Sequence, residues 1–268
     1  MVYRFLLTRR WLGLLAVTIL VAAGCVVMGR WQVERLDQRH ERNGLLDRNL
    51  TAAPVAVDRL LRPGREPAAG KEFRRVRAVG HYDLNAQLLV RLRPYAGQVG
   101  FYVLTPLVTG SGAALLVNRG WVPRAATATE TPAVAPPPTG RVAVVARLRP
   151  TEPPSTTGTP PPGQVSRIDT AAIARRLPYP VYGGYGELTD QRPSTTTTSP
   201  TSLPVPVPLP APEPTEGPHL AYAFQWFLFA GLALGGYLLL ARREALDRRA
   251  AVAGPVPPAR VGAASWQR

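Results

Sequence analysis

Apolar residues in this chain gather in two unbroken runs, and between them the pattern changes to short alternating stretches separated by turn formers. Trp11 to Gly29 and Leu220 to Ala241 contain no charged residue. As a helix rising roughly 1.5 Å per residue, the second run of about 22 residues reaches about 33 Å, enough to cross a hydrocarbon core. Trp11 and Trp31 lie about 20 residues apart, where aromatics at two bilayer interfaces belong. The pattern predicts two transmembrane helices, 11–29 and 219–241. A cleaved signal is the weaker reading of the first run. Ala22 replaces the larger aliphatic of a lipoprotein box, and Val26, Val27 and Met28 carry the apolar run past Cys25, longer than a signal core.

The region between the spans predicts an external α+β domain, residues 30–192, dominated by an antiparallel β-sheet or small barrel. Good helix formers from Arg30 to Asn49 continue the first helix as a solvated stalk, with Trp31, Glu34, Arg35 and Gln38 on one face. Strands are expected at 73–82, 87–92, 99–108, 113–117 and 141–148, each rich in Val, Leu or aromatic residues. Thr109-Gly110-Ser111-Gly112 supplies a hairpin loop, and Asp169 or Thr170 a cap for a short helix at 169–176. The Pro/Thr-rich stretches 130–139 and 151–163 read as surface loops, and 193–218 as a passive tether of polyproline character.

Charge adds an orientation. Arg242, Arg243, Arg248 and Arg249 follow the second span, whereas Glu213 and Glu216 precede it, so the tail 242–268 is expected in the cytoplasm. Two spans then put residues 1–10, with Arg4, Arg9 and Arg10, on the same side and the central domain outside, in a bacterial cell membrane. Arg30, Arg35, Arg39 and Arg42 on the outer flank oppose this assignment without reversing it. The net charge of +15 is almost wholly arginine, with Lys71 the sole lysine. Together with 30 prolines, this points to a GC-rich bacterial genome. No basic patch is interleaved with aromatics as on a nucleic-acid-binding surface. A single cysteine excludes an intramolecular disulfide and a CxxC motif.

Candidate chemistry is sparse. His40 sits in the charged stalk and His81 in a strand-like segment; neither lies in a nucleophile elbow or a zinc helix, so the chain does not read as an enzyme. His219, at the mouth of the second span, differs through its company. His219, Tyr222, Trp226 and Phe229 recur at i, i+3, i+7 and i+10. One reading is an interfacial aromatic belt with a histidine at the helix entry. The sharper one is a haem site, with an axial imidazole and aromatic packing around the macrocycle. Gly231 and Gly235, four apart, are expected to admit the first span through Gly24 and its alanines.

Three motifs then resemble one family. Gly29-Arg30-Trp31-Gln32-Val33-Glu34-Arg35-Leu36 is similar to the opening motif of the Surf1 (Shy1) family. The segments 100–107, with Gly100, Thr105 and Pro106, and 116–123, with Asn118, Arg119, Gly120 and Trp121, resemble its central signature. Gly217-Pro218-His219-Leu220-Ala221-Tyr222-Ala223-Phe224-Gln225-Trp226 resembles its final one, with Pro218 where the family often has Asn. The resemblance implies an actinobacterial-type assembly factor for haem-copper cytochrome c oxidase, aiding delivery or insertion of haem a into the catalytic subunit. That subunit and haem a synthase are its implied partners, beside the lipid bilayer. By motif, His219 becomes the haem iron ligand, Tyr222 and Trp226 its neighbours, and Arg119 the candidate for a propionate because guanidinium pairs bidentately with carboxylate. Asn118 to Trp121 otherwise read as a strand end and tight turn. The competing class is a two-span receptor or scaffold whose external domain binds a ligand or protein.

Overall fold

The computed structural model of the chain describes residues 2–125, 131–156, 158–194 and 203–253. Parts of the expected loops, tether and tail, namely 126–130, 157, 195–202 and 254–268, lie outside the described residues. The chain divides into two compact units, one of residues 1–41 with 215–268 and the other of residues 42–214.

The first unit is built on two long helices, α1 (Arg9–Thr51, which runs on into the second unit) and α4 (His219–Ala253), preceded by a 3-10 turn at Val2–Leu7. Both helices are long and apolar enough to cross a membrane. α1 does run past its apolar stretch, as the stalk reading expects. The helices meet through small residues: Ala22 and Cys25 of α1 bury against Ala230, with Trp226 packed alongside. The glycine at the contact is Gly29, where a Cβ would lie 2.8 Å from the Phe227 ring. Ala22, close to Gly24, does make the expected contact, but Gly24, Gly231 and Gly235 do not, since none has a neighbour within 4 Å of its Cβ position. The ring of Trp11 meets Tyr237 at 5.8 Å, so the start of α1 lies beside the far half of α4.

The second unit is a mixed sheet. Its strands are β1 (Val55–Ala56), β2 (Arg75–Tyr82), β3 (Leu88–Tyr95), β4 (Gln98–Thr109), β5 (Ala114–Pro123), β6 (Val142–Pro150), β7 (Gln164–Val165) and β8 (Val181–Arg192). Two short helices accompany them, α2 (Val57–Leu60) and α3 (Thr170–Ala174). The order is β1-β2-β6-β8-β5-β4-β3-β7, and β2 pairs again with β4. That last pairing closes β2, β6, β8, β5 and β4 into a small barrel. Closure needs a residue without a side chain, since a Cβ on Gly80 would fall 2.1 Å from the Val108 carbonyl oxygen.

Alternation decides which side chains fill which core. From β5, Leu115 and Val117 join Val76, Ala78, Val144 and Leu148 in one cluster. Leu116, pointing the other way, packs with Val90, Leu104 and Ile173 of α3. Each fully buried Leu or Val contributes on the order of 1.5–3 kcal/mol. Asp169 caps α3 by accepting the Ala172 amide at 2.9 Å, as the sequence predicts. The hairpin also forms, with Gly112 at φ +82°.

Three expectations change. The sheet is not purely antiparallel, because β5 pairs parallel to β8, β1 to β2 and β3 to β7. Strand β5 does not end at Val117 but continues to Pro123, so Asn118 to Trp121 lie inside a strand instead of a turn. Part of the stretch expected as a free tether is docked: Val207 exchanges both backbone hydrogen bonds with Trp121 at 2.8 Å, and Ala135 donates to the Pro204 carbonyl at 3.0 Å.

Candidate functional site

His219 opens α4, where the amide of Tyr222 donates to the Pro218 carbonyl at 3.1 Å. A backbone carbonyl makes this bond, so proline in place of asparagine leaves the helix start intact. The imidazole is partly exposed. Its Nδ1 lies 2.9 Å from Oε1 of Gln32 on α1, a residue 9% exposed that belongs to the opening motif. On the Nε2 side stands Gly217, at φ +66°, where a Cβ would lie 3.4 Å from Nε2 and 3.3 Å from Cδ2. Glycine therefore keeps the face of the free nitrogen clear, and its positive φ makes it the residue suited to that turn.

The aromatic stripe divides. At about 100° per residue, Ala223 and Ala230 fall roughly 20–40° to one side of His219 and Tyr222 and Phe229 about 60–80° to the other. The alanines are buried, Trp226 is partly buried beside them, and Tyr222 stays 48% exposed. Trp226 meets Phe229 edge-on at 6.1 Å. Tyr222 and Phe229 thus form an open aromatic flank, while Trp226 is a packing residue. In the opening motif, Arg35 lies over the exposed Trp31 ring at 5.4 Å and donates to Gln38 at 3.0 Å. Arg30 and Arg35 are exposed.

The central signature occupies the interior of the second unit. Arg119 is 3% exposed; its guanidinium donates to Oε1 of Gln87 at 3.2 Å and the Ala135 carbonyl at 3.0 Å, and lies over the Tyr82 ring. Burial pulls its pKa down to about 10, which leaves it charged at neutral pH. Thr105 donates to the same Gln87 oxygen at 3.1 Å. Asn118 Oδ1 accepts the Gly120 amide at 3.1 Å, and the Trp121 indole donates to the Arg93 carbonyl at 2.8 Å. At Gly100 a Cβ would meet the Trp121 ring at 2.6 Å, and Pro106 pairs across to Leu116. These residues build the strand pair β4–β5. Arg119 is thus a buried cation engaged within the sheet, with its Nε left without a hydrogen-bond partner.

The sequence singles out His219 but not Gln32 as its partner, although Gln32 belongs to the opening motif. A lone amide at the flank of an apolar span is the signal that could have found it, since such a group needs a hydrogen-bond partner. His40 pairs instead with Glu216 at 3.2 Å, both exposed. Among the described residues no group of three or more His, Cys, Asp or Glu comes together. A haem, which brings four nitrogens of its own, asks the protein for only an axial imidazole, and a nitrogen with a cleared face fits that demand.

Comparison with known proteins adds an independent line. The SURF1 family matches residues 19–231. An uncharacterized SURF1-like protein of Mycobacterium bovis is 33% identical over 95% of this chain and 92% of its own length. The cytochrome oxidase assembly protein SHY1 of Saccharomyces cerevisiae is 28% identical over 35% of this chain and 24% of its own length. Surfeit locus protein 1 of Takifugu rubripes is 31% identical over 40% of this chain and 49% of its own length.

Proposed function

Because the chain belongs to the SURF1 family, we propose that it is a membrane-bound assembly factor for haem-copper cytochrome c oxidase that presents haem a to the catalytic subunit. The yeast relative, a cytochrome oxidase assembly protein, supports the oxidase. The observation that carries the haem reading is His219, with Nδ1 engaged by Gln32 and Nε2 beside a glycine.

In this reading haem a is cargo. His219 offers its Nε2 to the iron, the ring and its apolar tail lie along the aromatic flank of Tyr222 and Phe229, and Arg30 and Arg35 on the outer end of the apolar run meet the propionates. A single protein ligand suits a carrier, because an acceptor supplying its own histidines can take the iron over. The reading is of a carrier and not of an enzyme. Both termini lie in the cytoplasm of a bacterial cell and the sheet domain outside, with the oxidase catalytic subunit and haem a synthase as partners.

The test is a spectrum of the full-length protein purified from haem-a-producing cells, beside His219→Ala. The wild type is expected to carry the haem a band and the variant to lose it. A band that survives the substitution unchanged overturns the ligand. A deletion strain with normal oxidase activity overturns the assembly role.

A further inference from the structure

We propose that Gln32 is the positioning residue of this site: it holds His219 as the tautomer protonated on Nδ1 and so leaves the Nε2 lone pair as the atom offered to a metal. The inference rests on the haem reading for its purpose, but its geometry stands without it.

A neutral imidazole carries one proton on its two nitrogens, and only the bare nitrogen can bind a metal. Which one is bare is set by the hydrogen bond the other makes. Here the partner of Nδ1, at 2.9 Å, is an amide oxygen, which can only accept. The proton therefore belongs on Nδ1. The bare Nε2 lies on the side of Gly217, where an added Cβ would stand 3.4 Å away, so the unprotonated nitrogen is the one with no side chain from that residue beside it. Without Gln32, the proton could rest on Nε2 and leave no lone pair there to bind a metal.

Gln32 is also held in place to do this. It is 9% exposed, three residues beyond Gly29, whose missing side chain lets Phe227 pack against α1. A polar amide buried at that depth costs free energy unless it is bonded, and His219 supplies the bond. Metal-bound histidines commonly donate their second nitrogen to such an acceptor, which orients the ring and makes it a stronger donor. Loss of an outer partner of this kind typically weakens metal binding by about 10- to 100-fold.

The decisive measurement is nitrogen-15 NMR of the full-length protein in lipid nanodiscs, labelled at histidine, with the His219 signal assigned by its loss in His219→Ala. Wild type and Gln32→Glu are expected to show Nδ1 protonated, and Gln32→Leu to lose that preference. An Nε2-protonated His219 in the wild type, or an unchanged Nδ1–H tautomer in Gln32→Leu, overturns the proposal. This arm needs no haem, so a wild type that carries none sinks the haem reading while the tautomer is still decided. On haem-loaded protein, Gln32→Leu is expected to retain haem about 10- to 100-fold more weakly, and Gln32→Glu, a stronger acceptor, to lower the midpoint potential with haem retained. Equal retention and equal potential in both variants, with helicity unchanged, overturns the positioning role.

Discussion

Arg119 shows how a residue singled out for its charge can carry a structural task. In sequence, an arginine flanked by Asn118, Gly120 and Trp121 reads as a cation offered to a carboxylate, since that is the partner its planar fork fits best. In the fold both terminal nitrogens of the fork are engaged, one by Gln87 and one by the Ala135 carbonyl, with the Tyr82 ring beneath it. Because Gln87 also holds Thr105, one arginine ties β5 to β4, to the segment before β3 and to the chain after β5. Arg119→Ala is therefore expected to destabilise the sheet by about 2–3 kcal/mol, the order of a lost charged hydrogen-bond set. Hydrogen exchange of sheet peptides in the full-length protein would read this as faster opening. Haem content per folded molecule should stay at the wild-type level. A variant with an undisturbed sheet and no haem would assign Arg119 to a propionate instead.

Elements were legible where a local pattern set them and obscure where distant chain did. The apolar runs announced α1 and α4, and the strand-like stretches anticipated β2 to β6, because burial on one face leaves its period in the sequence. Strand β8 left no such trace. Its Gly183, Gly184 and Gly186 look like turn residues, yet each is a close approach: a Cβ at Gly183 would lie 2.0 Å from the Arg65 carbonyl oxygen, and one at Gly186 2.7 Å from the Ala146 Cβ. The docked stretch after residue 203 was hidden for a related reason. Alternating Pro and Val resemble a spacer, but proline removes every second amide and leaves Val207 free to pair with Trp121. Gly120 makes room for it, with φ +133° and a Cβ position 2.3 Å from the Val207 carbonyl oxygen. Gly120→Ala should release this strap. Exchange at the peptides covering Trp121 and Val207 would rise severalfold while β2 and β6 remain protected. Equal protection in the variant would show that the strap does not depend on the glycine.

For the whole molecule, the arrangement of the first unit bears on topology more firmly than charge counting does. The arginines around the first apolar run lie on both sides of it, Arg4, Arg9 and Arg10 before it and Arg30, Arg35, Arg39 and Arg42 after it, so a count there decides little. The folded unit removes the ambiguity by pairing ends. Trp11 contacts Tyr237, and Arg248 lies over the Phe5 ring at 4.9 Å, so the beginning of α1 and the end of α4 share one side. Two spans packed in this way cross a membrane in opposite directions, so one orientation signal serves for both. That signal is strongest on α4, where Arg242, Arg243, Arg248 and Arg249 follow the apolar run and Glu213 and Glu216 precede it. Alkaline phosphatase, which folds only outside the cytoplasm, should be active when fused within the sheet domain and inactive when fused after Ala253. Replacing the four arginines after the α4 run with glutamine should reduce that contrast, leaving the evenly flanked α1 to orient the pair. Active fusions at the C-terminus of the wild-type chain would reverse the orientation and put His219 at the cytoplasmic face.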